Sequence, residues 1–159
     1  MSTQESHVLD FQEGYSWEGV EREAYKHSQE EGRAWRNIVR QVLIGRHAEA
    51  TSFNLRYFEV APGGYSSLEK HGHAHVVIAV RGQGKAVLGE TAHQLQPFDI
   101  IYVAPWTPHQ FLAAGEKPFG FFCIVDAERD RPASLTAPEH SKASAVGAVG
   151  KQEAKKRGS

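Results

Sequence analysis

The chemistry-bearing residues cluster in one stretch, Glu69-Lys70-His71-Gly72-His73-Ala74-His75, which runs into the apolar segment Val76 to Val80 and closes at Arg81-Gly82-Gln83-Gly84. In an extended segment successive side chains alternate faces, so Glu69, His71, His73 and His75 would share one side. Neutral imidazole nitrogen and carboxylate oxygen together suit one borderline or hard divalent cation per chain, manganese or iron first, nickel or zinc also. A histidine-rich surface strand is the plain alternative. The valine and isoleucine run after the histidines argues for burial instead, and buried imidazoles need partners.

The elements that must position these residues are short. Asn37 to Ile44 and Phe53 to Val60 read as strands, the second ended by Pro62 and the two glycines after it. Beyond the histidines come Val76 to Val80, Lys85 to Leu88, His93 to Leu95, Asp99 to Val103, His109 to Ala113 and Phe119 to Val125, separated by glycine and proline turns. Strands this short and evenly spaced predict an all-β sandwich or barrel. Gly82-Gln83-Gly84 is a hairpin turn and not a phosphate loop, since no helix comes after it.

Residues 1–35 form a polar arm with one short predicted helix. Its Trp17, Tyr25 and Trp35 are costly to leave in water and should pack on the barrel or on a second subunit. Residues 36–130 carry the barrel. Residues 131–159, rich in alanine, serine, lysine and glycine, read as a flexible tail with too little apolar surface to order itself.

The 159 residues carry a formal net charge of −1, which gives no basic excess for nucleic acid. There is no apolar run long enough to span a membrane and no secretion signal, so a cytoplasmic protein is the expectation. Cys123 is the single cysteine, which excludes an internal disulfide and a cysteine zinc cage. Alternation places it on one face with Phe119, Phe121 and Val125.

These residues resemble the cupin family, jelly-roll β-barrels holding one metal, over roughly residues 37–126. Gly63 or Gly64 opens the first family motif, His71 and His73 supply its pair, and Gly82 closes it. In the second motif Pro105 is in place and His109 is the late ligand, followed by Gln110-Phe111. Counting back from Gly82, His75 stands where the family has a glutamate. One register pairs Glu69 with His71 and leaves His73 as an extra, whereas a two-residue deletion pairs His71 with His73. Both keep His71, His75 and His109, so those three lead the ligand set. His73 comes next, and Glu69 stands as fifth ligand, orienter or proton acceptor. His93 reads as a surface histidine.

The series Tyr57 to Gly64, Ser66 to His71, His109 to Phe111 and Gly120 to Pro132 is further similar to the small cupins that include methylthioxylulose 5-phosphate methylsulfurylases. That resemblance implies a homodimeric metal enzyme that takes the methylthio group from a sugar phosphate of methionine-salvage origin. If Cys123 faces the barrel interior, its sulfur would lie near the metal with a lowered pKa, ready to attack a methylthio sulfur. Otherwise it is a small buried apolar residue. Tyr57, Arg81 and Trp106 are candidate substrate contacts, and Arg56, Lys70, Arg81, Arg129 and Arg131 are candidate phosphate partners. The rival readings are an iron-dependent dioxygenase, a metal-dependent isomerase or lyase, and a binding module without turnover.

Overall fold

The computed structural model describes residues 5–26, 34–129 and 132–157, the stretch 148–157 as backbone alone. Arg131, a candidate phosphate partner, lies outside the described residues. Among the described residues of the N-terminal arm the expected helix gives way to three two-residue strands, β1 (Phe11–Gln12), β2 (Ser16–Trp17) and β3 (Glu23–Ala24). The reason is local. Gly14 and Tyr15 turn through positive φ, 77° and 54°, and fold β1 back onto β2 with Phe11 opposite Trp17.

The arm's aromatics pack on the barrel, Tyr25 buried and Trp17 and Trp35 half-buried. Trp17 packs edge-on against Tyr57 at 5.1 Å between ring centres, and Tyr25 meets Phe58 at 5.8 Å. Strand β3 then pairs with the first long strand, β4 (Arg36–Ile44).

The remaining strands are β5 (Phe53–Tyr65), β6 (His75–Arg81), β7 (Gly84–Leu88), β8 (Thr91–Leu95), β9 (Ile100–Val103), β10 (His109–Ala113) and β11 (Phe119–Asp126). They form one antiparallel sheet in the order β8-β7-β10-β5-β11-β6-β9, with β4 also on β5, and it curls into a half-barrel. The fold class is the expected all-β one. Strand β5 runs past Pro62, because Ile38 pairs with Val60 while Arg36 pairs with Tyr65. The proline and Gly63 (φ 78°) are absorbed in a wide bulge instead of ending the strand. At Gly82 (φ 65°) a side chain would strike the carbonyl of Pro118, so the turn into β7 needs glycine.

Inside the curl lies an apolar core that includes Ile38, Phe58, Val60, Val77, Ala79, Phe111, Phe119, Phe121 and Val125. Residues across the sheet fall in rows: Arg40, Phe58 and Phe121 in one, Val42, Arg56 and Cys123 in the next. The concave face is thus apolar deep inside and cationic at β4 and β5.

Among the described residues the one helix is at the other end. From Ala137 to Arg157 the segment expected to be a structureless tail forms α1. It lacks large apolar residues, but small Ala143 lets the helix approach closely and is fully buried against a cluster holding Leu68, Val87 and Leu112. Its N-terminus is a reciprocal cap, with Thr136 N–H donating to Glu139 Oε1 at 2.9 Å and Glu139 N–H donating to Thr136 Oγ1 at 3.3 Å. Glu139 also pairs with Lys70 at 2.8 Å.

Candidate metal centre and its cavity

Extended alternation does not run through the histidine stretch, because β6 begins only at His75 and residues 72–73 bend. The cluster is assembled by pairing instead. Glu69 and His109 exchange backbone hydrogen bonds of 3.2 and 2.9 Å, which sets the start of the stretch beside β10. The result is that one nitrogen from each of His71, His75 and His109 lies within 4.8 Å of the others, all three side chains buried.

Each imidazole is held by its second nitrogen. His109 Nδ1 is 2.8 Å from the carbonyl of Thr107, which can only accept, so the ring hydrogen is on Nδ1 and the Nε2 lone pair is free to bind. His71 Nε2 sits 3.1 Å from Glu69 Oε1, turning Nδ1 inward to 2.9 Å from His75 Nε2. His75 in turn places Nδ1 3.3 Å from Cys123 Sγ. This is the arrangement in which outer partners fix the tautomer of metal ligands. Burial, reinforced by neighbouring imidazoles, pushes His75 down to about 2 and His109 down to about 4, so both are neutral near pH 7. Three buried, inward-facing imidazole nitrogens fit a divalent cation, with space for further ligands.

His73 stacks on His71 with ring centres 4.4 Å apart and lines the same cavity, outside the group of three. Glu69 touches the cluster through His71. Burial would push its carboxyl up, but the His71 contact and the Lys26 ammonium, 2.5 Å from Oε2, hold it well below the usual range. Ser67 donates to the same oxygen at 3.0 Å and is itself bonded to Tyr25 at 3.0 Å. Lys26 and Tyr25, from the arm, are site residues that no local sequence signal marks.

Cys123 faces the cavity but lies behind His75, against its outer nitrogen, rather than among the inward-facing group. Burial raises its thiol pKa, opposed by Arg56, whose guanidinium is 3.5 Å from Sγ. The cavity measures about 310 Å³ and is lined by the histidines, Glu69 and Cys123 together with Phe58, Phe111, Phe121 and the cations Lys26, Arg40, Arg56 and Arg129.

Three candidate substrate contacts lie elsewhere. Tyr57 is fully buried on the opposite face of β5, donating to Glu59 at 2.9 Å, and Arg81 pairs with the same carboxylate at 2.8 Å beneath Tyr15. Tyr57 and Glu59 face the arm, whereas Arg56 and Phe58 face the cavity. Trp106 adopts a left-handed backbone (φ 63°) with its N–H on the His71 carbonyl at 2.7 Å, which turns the indole out to 56% exposure. Lys70 is committed to Glu139, and His93 is exposed on β8, as expected.

Comparison with known proteins agrees with this geometry. A family model described as a cupin domain matches residues 56–125. A 1-methylthio-D-xylulose 5-phosphate methylsulfurylase of Rhodospirillum rubrum is 45% identical over 123 residues, covering 77% of this chain and 76% of that one. The crystal structure of a cupin-2 domain protein from Rhodospirillum rubrum superposes with a TM-score of 0.75 at 38% identity, over 91% of this chain and 97% of the other. A cupin 2 conserved barrel domain protein from Rhodopseudomonas palustris gives 0.74 at 36% identity, over 84% and 89%. With its barrel, its histidine cluster and these relatives in agreement, the chain belongs to the cupin family.

Proposed function

We propose that this cupin is a metal-dependent enzyme that removes the methylthio group of 1-methylthioxylulose 5-phosphate. The observation that carries the reading is the adjacency of Cys123 to the histidine cluster, Sγ 3.3 Å from His75 Nδ1, in a chain 45% identical to a relative of that name. A divalent ion, manganese or iron, held by His71, His75 and His109 would polarise the substrate carbonyl and so ease departure of an electron pair to the adjacent carbon.

The remaining chemistry belongs to the side chains. Once His75 gives up its Nε2 lone pair, its ring hydrogen sits on Nδ1 and faces Sγ, where with Arg56 it supports a thiolate against the burial that opposes one. The thiolate attacks the methylthio sulfur. An S–S bond forms, the C–S bond breaks, and its electron pair passes to the carbon next to the carbonyl, which takes a proton to become a methyl ketone. An external thiol then reduces the mixed disulfide on Cys123, and a second thiol equivalent yields methanethiol and a disulfide. Glu69 acts by position, holding His71, with Lys26 keeping it ionised. On this reading the protein works in the reducing cytoplasm as a homodimer in methionine salvage.

The test is metal analysis and methanethiol release with added thiol, on the wild type, His109→Ala and Cys123→Ser. Metal lost in the first variant, and release lost in both, is the expected pattern. Stoichiometric metal without release removes the methylthio reaction, and oxygen-dependent turnover in its place supports a dioxygenase.

A further inference from the structure

Four cations face the cavity, and they are not equivalent. Lys26 is neutralised by Glu69, and Arg40 by Glu23, 2.8 Å from its Nε. Arg56 and Arg129 meet no carboxylate within ion-pair distance among the described residues. Arg56 lays its guanidinium on the Phe58 ring, 4.9 Å from the ring centre, and its buried Nε meets no hydrogen-bond partner among the described residues. Arg129 spends one nitrogen on the carbonyl of Asp126 at 2.7 Å and otherwise stands at the mouth. Burial and the charge of Arg56 lower the Arg129 pKa, the mark of two like charges held near one another.

We infer that Arg56 and Arg129 form the subsite for the phosphate monoester of the substrate, on the side of Cys123 away from the histidine cluster. This rests on the proposed substrate class and assigns its phosphate end. A dianion offsets the repulsion of two guanidiniums, and each planar fork can present two parallel N–H donors to phosphate oxygens. The thiol touches both groups, His75 Nδ1 at 3.3 Å and the Arg56 guanidinium at 3.5 Å. A sugar whose phosphate lies on the arginines would direct its opposite, carbonyl-bearing end past Sγ to the histidines. Arg81, which the sequence also offers for this role, is excluded by its place on the far face of the sheet.

Isothermal titration of the metal-loaded full-length protein with D-xylulose 5-phosphate and with D-xylulose tests the assignment, with inorganic phosphate as competitor. The wild type is expected to prefer the phosphate ester by about tenfold or more, and phosphate to compete. Arg56→Met and Arg129→Met should each lose most of that preference while binding the neutral sugar as before. Arg56→Lys should recover part of it, and Arg81→Met should behave as wild type. Melting curves check folding, and exposed Arg129 carries the test if Arg56→Met is unstable. Equal binding of the two sugars by the wild type, or an undiminished preference in both methionine variants, overturns the subsite. Methanethiol release from 1-methylthioxylulose 5-phosphate with added thiol, assayed on the same protein preparations, separates the two readings. Arginine-dependent phosphate binding without release keeps the subsite and removes the methylthio reaction, and release with arginine-independent binding does the reverse.

Discussion

Cys123 is pulled two ways at the residue scale. Burial favours the neutral thiol, whereas Arg56 favours the thiolate, as His75 would once its Nε2 held the metal. Cys123→Ser keeps size and shape, so the variant should retain metal and melt close to wild type while methanethiol release falls by roughly a thousandfold or more. Retained release would mean the thiol only packs. Glu69→Gln makes a different prediction. Glutamine still accepts from His71 but leaves Lys26 without its counter-charge, so metal affinity should fall by roughly 10–100-fold and stability by about 1–3 kcal/mol, read by metal-binding isotherms and chemical denaturation. The two residues differ from Lys26 in how far sequence could foresee them. The histidines around them announce themselves by type and spacing along a few residues. Lys26 reaches Glu69 only because β3 docks on β4, and nothing near Lys26 in the chain signals that.

At the scale of elements, the strands from β4 to β11 were legible because each is a short apolar run between glycine or proline turns, and the turns do fall at those residues. Legibility failed where a local rule was overruled. Pro62 and Gly63 are strand breakers that pairing with β4 turned into a bulge. Thr136-Ala137-Pro138-Glu139 is a helix start whose signature was present in the sequence, masked by the low apolar content of residues 140–157. That cap also makes α1 pH-sensitive. The hydrogen bond from Lys70, then the Thr136 N–H, lowers the Glu139 carboxyl from the usual 4.5 to about 2. A carboxyl depressed in the folded state contributes fully above its ordinary pKa and loses that contribution as pH falls through its folded value. Hydrogen exchange of the α1 amides should therefore accelerate between about pH 4.5 and pH 2, relative to those of β5. Glu139→Gln should show weaker protection at neutral pH and little change across that window. An unchanged acid response in the variant would assign the effect to other groups.

At the scale of the whole molecule, an apolar face lies open beside β9 among the described residues. Strand β9 is the edge of the sheet, and its outward side chains Ile100 and Tyr102 are 71% and 63% exposed, with Val76 opposite Tyr102 on β6 and Phe98, 82% exposed, just before the strand. Trp106 adds a fifth large exposed side chain from the next loop. Apolar surface concentrated this way is unusual on a monomer, and an edge strand with free backbone donors and acceptors is a template for another strand. A second copy of the chain, bringing the same face by two-fold symmetry, would cover both. It would also explain why Trp106 turns away from the cavity, since the indole would then serve the interface. Light scattering on the eluting protein should give twice 17.6 kDa, and Ile100→Glu combined with Tyr102→Glu should give one chain mass with metal content retained. A wild type that elutes as one chain, or a double variant that remains a dimer, assigns this face another role. Because the three clustered histidines and both arginines of the inferred phosphate subsite belong to one chain, the monomeric variant should still bind the metal and the phosphate ester. Loss of either on dissociation would mean that the partner completes the site.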